Sequence, residues 1–405
     1  MKKRICIIGT GTGQEEILTG EASGAIKDAQ LLIGAERLLE SFSEIIRGRR
    51  TEAEYRPKET AEIIRNAPEE KIGILVSGDS GFFSAAKILL MELKEYQPRV
   101  FPGISSLSFF AAKTGISWED AAVLSLHGTD GNLLPAVKSN RKLFVLASAD
   151  MKSYFNEMEA GSLSGIEVWA GENLGSTDER IEHGTIEKIA ERQYASLTVY
   201  FILNPHPEER YRTGIDDAEF IRGDVPMTKR EIRGLSVLSL HIRQDDILYD
   251  IGAGTGSVSV EMALCAEHGE VYAVECVQEG IELIEANRRK FGLHNLKVIN
   301  GTAPEALREL PVPDAAFIGG SRGRLEEIVE FLLEINPKIR ITVNAIAQET
   351  TEKALEIMEA RGMNPEITQV NVAKGRKTGR LHMMIAQNPV SIISGQGKGG
   401  QNAGL

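Results

Sequence analysis

Asp250-Ile251-Gly252-Ala253-Gly254-Thr255-Gly256 follows the apolar, β-rich run Ile247-Leu248-Tyr249 and leads into a helical pattern opening at Ser257. Glycines here permit a tight turn and let a ligand approach the backbone, while the helix N-terminus offers free N–H groups. Nineteen positions beyond Gly256, Glu275 closes the strand-like Glu270-Val271-Tyr272-Ala273-Val274, where a carboxylate can accept both hydroxyls of a ribose. Any one glycine is an ordinary turn residue. The order strand, loop, helix, strand, acid points to a nucleotide-type site at the edge of a parallel sheet.

Outward from this loop the same alternation continues. ILYDIG, EVYAVE, LKVINGT, DAAFIGG, RITVNA and HMMIAQ are separated by amphipathic stretches such as GIELIEANRRKFG. In the first half, IGILVS (72–77), RVFPG (99–103), KLFVLAS (142–148), IEVWAG (166–171) and LTVYFIL (197–203) recur between helical segments. Such alternation predicts α/β layers with mostly parallel strands. The stretch NPHPEERYRTGIDD (205–218) has prolines, charges and no periodicity, and reads as a linker. The expected organisation is therefore a domain over 1–205, a linker over 206–218, a second domain over 219–390 and a disordered tail over 391–405. The halves share no clear repeat.

A chain of 405 residues exceeds what one core usually supports, in keeping with two domains. Its 46 Lys and Arg against 58 Asp and Glu leave a formal charge of −12, so nothing global favours nucleic acid or anionic lipid. An anionic ligand needs a local basic wall. No apolar run approaches the roughly eighteen residues of a membrane span. Cys6, Cys265 and Cys276 lack CxxC spacing and read as small buried apolar residues. The seven histidines show no metal spacing, and no metal is expected. A cytoplasmic location fits this cysteine usage. The start MKKRICIIGTGTG reads as strand and turn, not as a signal peptide.

The 250–256 segment with Glu275 resembles motif I and the following acidic position of class I S-adenosylmethionine-dependent methyltransferases, and departs from the GxGxxG of NAD-binding domains. Asn300-Gly301-Thr302-Ala303-Pro304-Glu305 falls where that family places adenine contacts, and Asp314 to Gly320 matches its fourth strand. Upstream, Gly223-Asp224-Val225-Pro226-Met227-Thr228-Lys229-Arg230-Glu231-Ile232-Arg233 and the Gly319-Gly320-Ser321 turn look like the C-15 methylating, decarboxylating family of cobalamin biosynthesis. Thr228 is either a helix cap or, on that resemblance, a neighbour of the cofactor.

The first half carries Gly9-Thr10-Gly11-Thr12-Gly13, Gly78-Asp79-Ser80-Gly81-Phe82-Phe83 and Phe101-Pro102-Gly103-Ile104-Ser105-Ser106, each after an apolar strand. With Gly171-Glu172-Asn173-Leu174-Gly175-Ser176 they resemble the tetrapyrrole methylases, class III methyltransferases, and the last string is similar to the C-5 methylating members. Where many members have proline, this chain has Ser80.

The resemblances imply an N-terminal class III tetrapyrrole methylase fold joined to a C-terminal class I Rossmann-like fold, with one S-adenosylmethionine per domain. Cofactor contacts are then expected at Gly78, Asp79, Ser80, Phe83, Ser105 and Ser106 in the first half. In the second they fall on Thr228, Gly252, Ala253, Gly254, Thr255, Gly256, Glu275 and Ala303. Gly9, Gly11 and Gly13, with Arg322 and Arg324, would face a tetrapyrrole. The implied reaction is methylation of a corrin precursor at C-5 and C-15 with decarboxylation of the C-12 acetate. No nucleic acid or membrane partner is expected, and a homo-oligomer is. Lys229, Arg230, Arg233, Lys374, Arg376, Lys377 and Arg380 are further candidates for basic walls, and His127 and His382 for proton transfer. The alternative is that one half is only a binding or scaffolding module.

Overall fold

The computed structural model describes residues 3–127, 131–147, 151–160, 163–195, 197–208 and 213–398. The chain divides into two compact units, with the boundary between Pro207 and Glu208. The stretch 131–139 belongs to the second unit, although it lies within the first in sequence. There, the Asn132 amide donates to Asn295 Oδ1 at 2.8 Å, and its carbonyl oxygen accepts from His294 N at 2.8 Å. The expected first domain, 1–205, therefore gives up the helix Leu133–Ser139, whose buried Leu133, Leu134 and Val137 supply an apolar face. A boundary drawn along the sequence could not detect that exchange.

In the first unit, β1 (Arg4–Gly9), β2 (Leu31–Gly34), β3 (Arg50–Ala53), β4 (Lys71–Val76) and β5 (Arg99–Phe101) form a parallel sheet in the order β3-β2-β4-β1-β5. β1, β2 and β4 are nearly continuous apolar runs, as expected where helices cover both faces. A second sheet holds β6 (Ala122–Ser125), β7 (Lys142–Leu146), β8 (Glu167–Glu172), β9 (Arg180–Gly184) and β10 (Thr198–Leu203) in the order β6-β7-β10-β8-β9. It is largely antiparallel, because β10 runs against both β7 and β8.

The second unit is built on β11 (Ile247–Ile251), β12 (Glu270–Glu275), β13 (Leu296–Asn300), β14 (Ala315–Ile318), β15 (Arg340–Ala345), β16 (Glu366–Val370) and β19 (Val390–Gln396). The order is β13-β12-β11-β14-β15-β19-β16, parallel from β13 to β15, with β19 antiparallel to β15 and β16. Alternate strand residues feed two cores. Tyr249, Ile251, Val274, Ile318 and Val343 meet the helices Leu325–Ile335 and Gln348–Ala360, and Leu248, Val271, Ala273 and Phe317 meet Ser257–Cys265 and Gln278–Phe291.

Two expectations are corrected here. Residues 391–396 are not a disordered tail but most of β19, with Ile392 and Ile393 buried; residues 399–405 lie outside the described ones. HMMIAQ is a strand, but not of the main sheet: β17 (Ala373–Thr378) and β18 (Leu381–Ala386) form a separate hairpin whose residues are all exposed. The linker holds a short helical turn at Asp217–Glu219, and its residues 209–212 lie outside the described ones. The three cysteines are half-buried, not buried, and Cys6 has its thiol pKa raised by partial burial, against the opposing fields of Arg4 and Arg99.

Candidate active site

Strand order reverses between β12 and β14, on either side of β11. At their carboxyl ends the structure opens a cavity of about 840 Å³, where open α/β sheets bind ligands. Its walls come from five places: the segment Val225–Lys229, the glycine loop, Glu275–Val277, Gly301–Ala303 and Gly319–Arg322. Asn344, Gln387 and Asn388 add polar groups to its lining.

Gly254 shows why this position of the loop carries no side chain. Its φ is +57°, and a Cβ there would stand 3.0 Å from the Pro226 carbonyl oxygen. The upstream string and the loop thus meet backbone to backbone. Glu275 is 8% exposed and fastens the loop to β12: one carboxylate oxygen accepts from Gly254 N at 2.8 Å, the other from Cys276 N and Val277 N at 2.7 and 2.9 Å. A carboxylate has about four acceptor positions, so three are used by the loop and one is left over.

Beneath lies Asp250, fully buried at the end of β11. Ser259 Oγ donates to its Oδ2, while Oδ1 has no partner among the described residues. Burial pushes its pKa up to about 7; the nearby Glu275 charge acts in the same direction, and the Ser259 hydrogen bond opposes it. Asp250 lines the cavity but was not among the expected contacts, although the first letter of the motif could have marked it.

Of the expected residues, Thr228, Gly252, Ala253, Gly254, Glu275, Ala303, Arg322 and Arg324 line the cavity. Thr255 and Gly256 do not. Thr255 is 1% exposed with an unpartnered Oγ1, and Gly256 is the residue before the helix Ser257–Cys265. Thr228 does not cap a helix; Lys229 precedes the first helical residue, Arg230.

The cations separate by partner. Arg324 is held by Glu305 at 2.6 and 2.7 Å and by Glu327 at 2.6 Å, and its guanidinium holds the Glu305 carboxyl down at about 2. Arg322, in a left-handed conformation with φ +50°, makes no ion pair among the described residues. Lys229 also reaches the cavity, but Arg230 pairs with Asp216 at 2.9 Å and Arg233 is fully buried. Arg233 as a substrate-facing cation is thereby corrected. So is the run Lys374, Arg376, Lys377 and Arg380, which stands on the exposed hairpin with Lys374 paired to Glu231 at 3.0 Å. His382 is on the same hairpin, and His127 is in a turn of the first unit outside this cavity. Gly128 lies outside the described residues.

In the first unit the three glycine segments converge at the carboxyl ends of β1, β4 and β5. Gly11 and Gly78 exchange hydrogen bonds of 3.1 and 2.8 Å. Gly103 abuts them so closely that a Cβ would stand 2.3 Å from the Gly78 carbonyl oxygen. Gly9 ends β1 and Gly13 follows in the same turn. The expected cofactor and tetrapyrrole residues thus share one edge.

Asp79 braces that edge, accepting from Gly81 N at 2.8 Å and Gly103 N at 3.1 Å. Ser105 caps the helix Ser106–Thr114 by accepting from Ser108 N at 3.1 Å. Ser80 is half-buried between them. Phe83 is 62% exposed at φ +46°, its ring edge-on to Phe82 at 5.0 Å. Leu174 to Ser176 close in from the second sheet, with Gln14 Nε2 donating to the Gly175 carbonyl.

An antiparallel β19 beside β15 and a DxGxGxG loop in place of GxGxxG set the second unit apart from a dinucleotide-binding domain, as the resemblance to class I methyltransferases implies. Comparison with known proteins agrees. Residues 219–396 match the family described as "Precorrin methyltransferase domain", and residues 4–190 match "Tetrapyrrole (Corrin/Porphyrin) Methylases". The "Probable cobalt-precorrin-6B C(15)-methyltransferase (decarboxylating)" of Sulfolobus acidocaldarius is 44% identical over 192 residues, 46% of this chain and 98% of that protein. The "Precorrin-6Y C(5,15)-methyltransferase [decarboxylating]" of Sinorhizobium sp is 28% identical over 389 residues, 93% of this chain and 92% of that one. A solved structure of the Geobacter metallireducens precorrin-6Y C5,15-methyltransferase is 36% identical, covers 47% of this chain and 100% of that one, and has a TM-score of 0.45. The chain belongs to the precorrin methyltransferases, an S-adenosylmethionine-dependent family, with a tetrapyrrole methylase unit ahead of a precorrin methyltransferase unit. Among the described residues no helix is long and apolar enough to cross a membrane.

Proposed function

We propose that the chain methylates a corrin precursor at C-5 and C-15 and decarboxylates its C-12 acetate, with one S-adenosylmethionine held by each unit. The observation that carries this reading is the cavity of the second unit, where a glycine loop, an acidic strand end and two uncommitted cations face one space. Its volume suits a cofactor. Gly254 leaves its mouth free of side chain, and the spare acceptor position of Glu275 suits a ribose. When bound, the cofactor supplies an already activated sulfonium methyl, so alignment matters more than a strong base.

In that arrangement Gly252 to Gly254, Glu275, Ala303 and Thr228 hold the cofactor. Arg322 and Lys229 draw substrate carboxylates to the cavity mouth, Arg322 by a two-pronged guanidinium contact. In the first unit, Gly78 to Phe83 and Ser105-Ser106 hold the second cofactor, while the Gly9 to Gly13 turn faces the tetrapyrrole. A cytoplasmic setting belongs to this reading.

The test is mass spectrometry of a corrin precursor incubated with the chain and S-adenosylmethionine. Gain of two methyl groups with loss of carbon dioxide is expected. Gain of one methyl group only would mean that one unit is inactive. Arg322→Gln should raise the KM for the corrin about tenfold or more, the scale of a lost charge-assisted contact, while S-adenosylhomocysteine affinity stays unchanged. Arg324→Gln, already satisfied by Glu305 and Glu327, should leave that KM within about twofold.

For the homo-oligomer that the resemblance implies we propose a surface as well. On the β17–β18 hairpin, Leu381, Met383 and Ile385 lie on one face, at 72%, 58% and 47% exposure. A lone two-stranded hairpin is marginal in water, and such apolar exposure marks an interaction surface. We assign it to a second copy. Light scattering should report an oligomer for the intact chain and smaller particles for Met383→Glu; an unchanged mass would remove the hairpin from the interface.

A further inference from the structure

Arg233 sits in the helix Arg230–Ser239 with its side chain fully buried. Its Nε donates to Glu261 Oε1 at 2.6 Å, and that carboxylate is fully buried too. Nη1 donates to the Thr228 carbonyl at 2.8 Å and to Asp217 Oδ1 at 3.1 Å, Nη2 donates to the Ile215 carbonyl, and the guanidinium lies 4.5 Å from the centre of the Phe220 ring. Glu261 in turn accepts from Gly214 N and Ile215 N, both at 3.0 Å.

Burial alone does not account for such a pair. Two buried charges cost so much desolvation that apolar residues of similar volume often serve stability as well or better. What apolar residues cannot supply is donors for the Thr228 and Ile215 carbonyls and acceptors for the Gly214 and Ile215 amides. Each of these groups fixes the course of the 214–229 backbone. The Val225–Lys229 end of that backbone forms one wall of the cavity, and Glu261 stands in the helix that follows the glycine loop.

We propose that Arg233, through Glu261, is a positioning residue of the cofactor cavity: it locks the Met227-Thr228-Lys229 wall to the helix bearing the glycine loop, so cofactor affinity depends on it. This rests on the cavity being the second unit's cofactor site. Lysine cannot replace it, because a single ammonium on a flexible stem can reach Glu261 but not span the two carbonyls and Asp217 together.

The experiment is calorimetric titration with S-adenosylhomocysteine at a temperature well below unfolding, in a Gly78→Arg background that silences the first unit. The variants are Arg233→Lys and the double replacement Arg233→Met with Glu261→Leu, with melting temperature recorded for each. The parent should bind; both variants should bind about tenfold or more weakly while folded, the scale expected of small misplacements in a site. Wild-type affinity in a folded variant, whatever its melting temperature, would overturn the proposal and leave the pair purely structural. If the double variant does not fold, Arg233→Lys decides alone. Absence of binding in the parent would instead sink the assignment of the cavity.

Discussion

Gly254→Arg should abolish methylation at C-15 together with decarboxylation, while methylation at C-5 continues. Any Cβ at 254 stands 3.0 Å from the Pro226 carbonyl oxygen on a left-handed backbone, and the residue lines the cavity, so a bulky side chain there distorts or fills it. The loss expected is at least about a hundredfold, as for a site whose reacting groups cannot align. Product mass spectrometry separates the outcomes, since a singly methylated, still carboxylated corrin is expected. Full turnover at both carbons would mean that the cofactor of the second unit lies elsewhere. Loss at both carbons in a protein with native circular dichroism would mean that the units do not work independently.

The second large effect concerns Asp250. Its carboxyl holds a proton up to about pH 7 in the folded chain, because burial disfavours the charge, whereas an exposed aspartate ionises near 3.8. The stabilisation is therefore fully present below about pH 4 and is lost as the pH rises through about 7. A shift of this size corresponds to roughly 4 kcal/mol as an order of magnitude, with no solvent screening for so buried a group. Asp250→Asn cannot ionise, so it should melt higher than the wild type at about pH 8, with the gap narrowing as the pH falls and closing only below about pH 4. Thermal scans of both proteins across that range provide the check. Parallel curves would show that Asp250 is ionised in the folded state throughout.

The second unit was legible because its signals are local. A glycine loop, the strand before it, the helix after it and the acid of the next strand all lie within thirty or so residues, and strand order then follows from short right-handed connections. Glu275 was legible as an acid, but its bonds to Gly254, Cys276 and Val277 were not, since they depend on how the loop folds back. The cations were misjudged for a related reason. Arg233 and Arg322 look alike in sequence, and only packing buries one and leaves the other at the cavity wall.

Elements whose own residue pattern does not announce their partner were the hardest to see. β17 reads Ala-Lys-Gly-Arg-Lys-Thr, with no apolar alternation, and is a strand only because Leu381–Ala386 pairs with it. β19 runs into a glycine-rich end that resembles a tail, yet Ile392 and Ile393 are needed to cover the sheet beside β15. The helix Leu133–Ser139 carries an ordinary apolar face, and nothing in its spacing says which of two cores receives it. In the first unit each glycine motif was visible, but their meeting through Gly11, Gly78 and Gly103 is a property of three adjacent parallel strands.

The central claim is that this one chain carries two working cofactor sites, and the most direct measurement is calorimetric titration of the intact chain with S-adenosylhomocysteine. It is repeated after Gly254→Arg and, separately, after Gly78→Arg, where a Cβ meets no atom within 4 Å but the left-handed backbone, φ +70°, strains any side chain, with native circular dichroism required of both variants. Two sites per chain are expected, falling to one in either variant. A single site in the wild type, removed by only one of the replacements, would contradict the account.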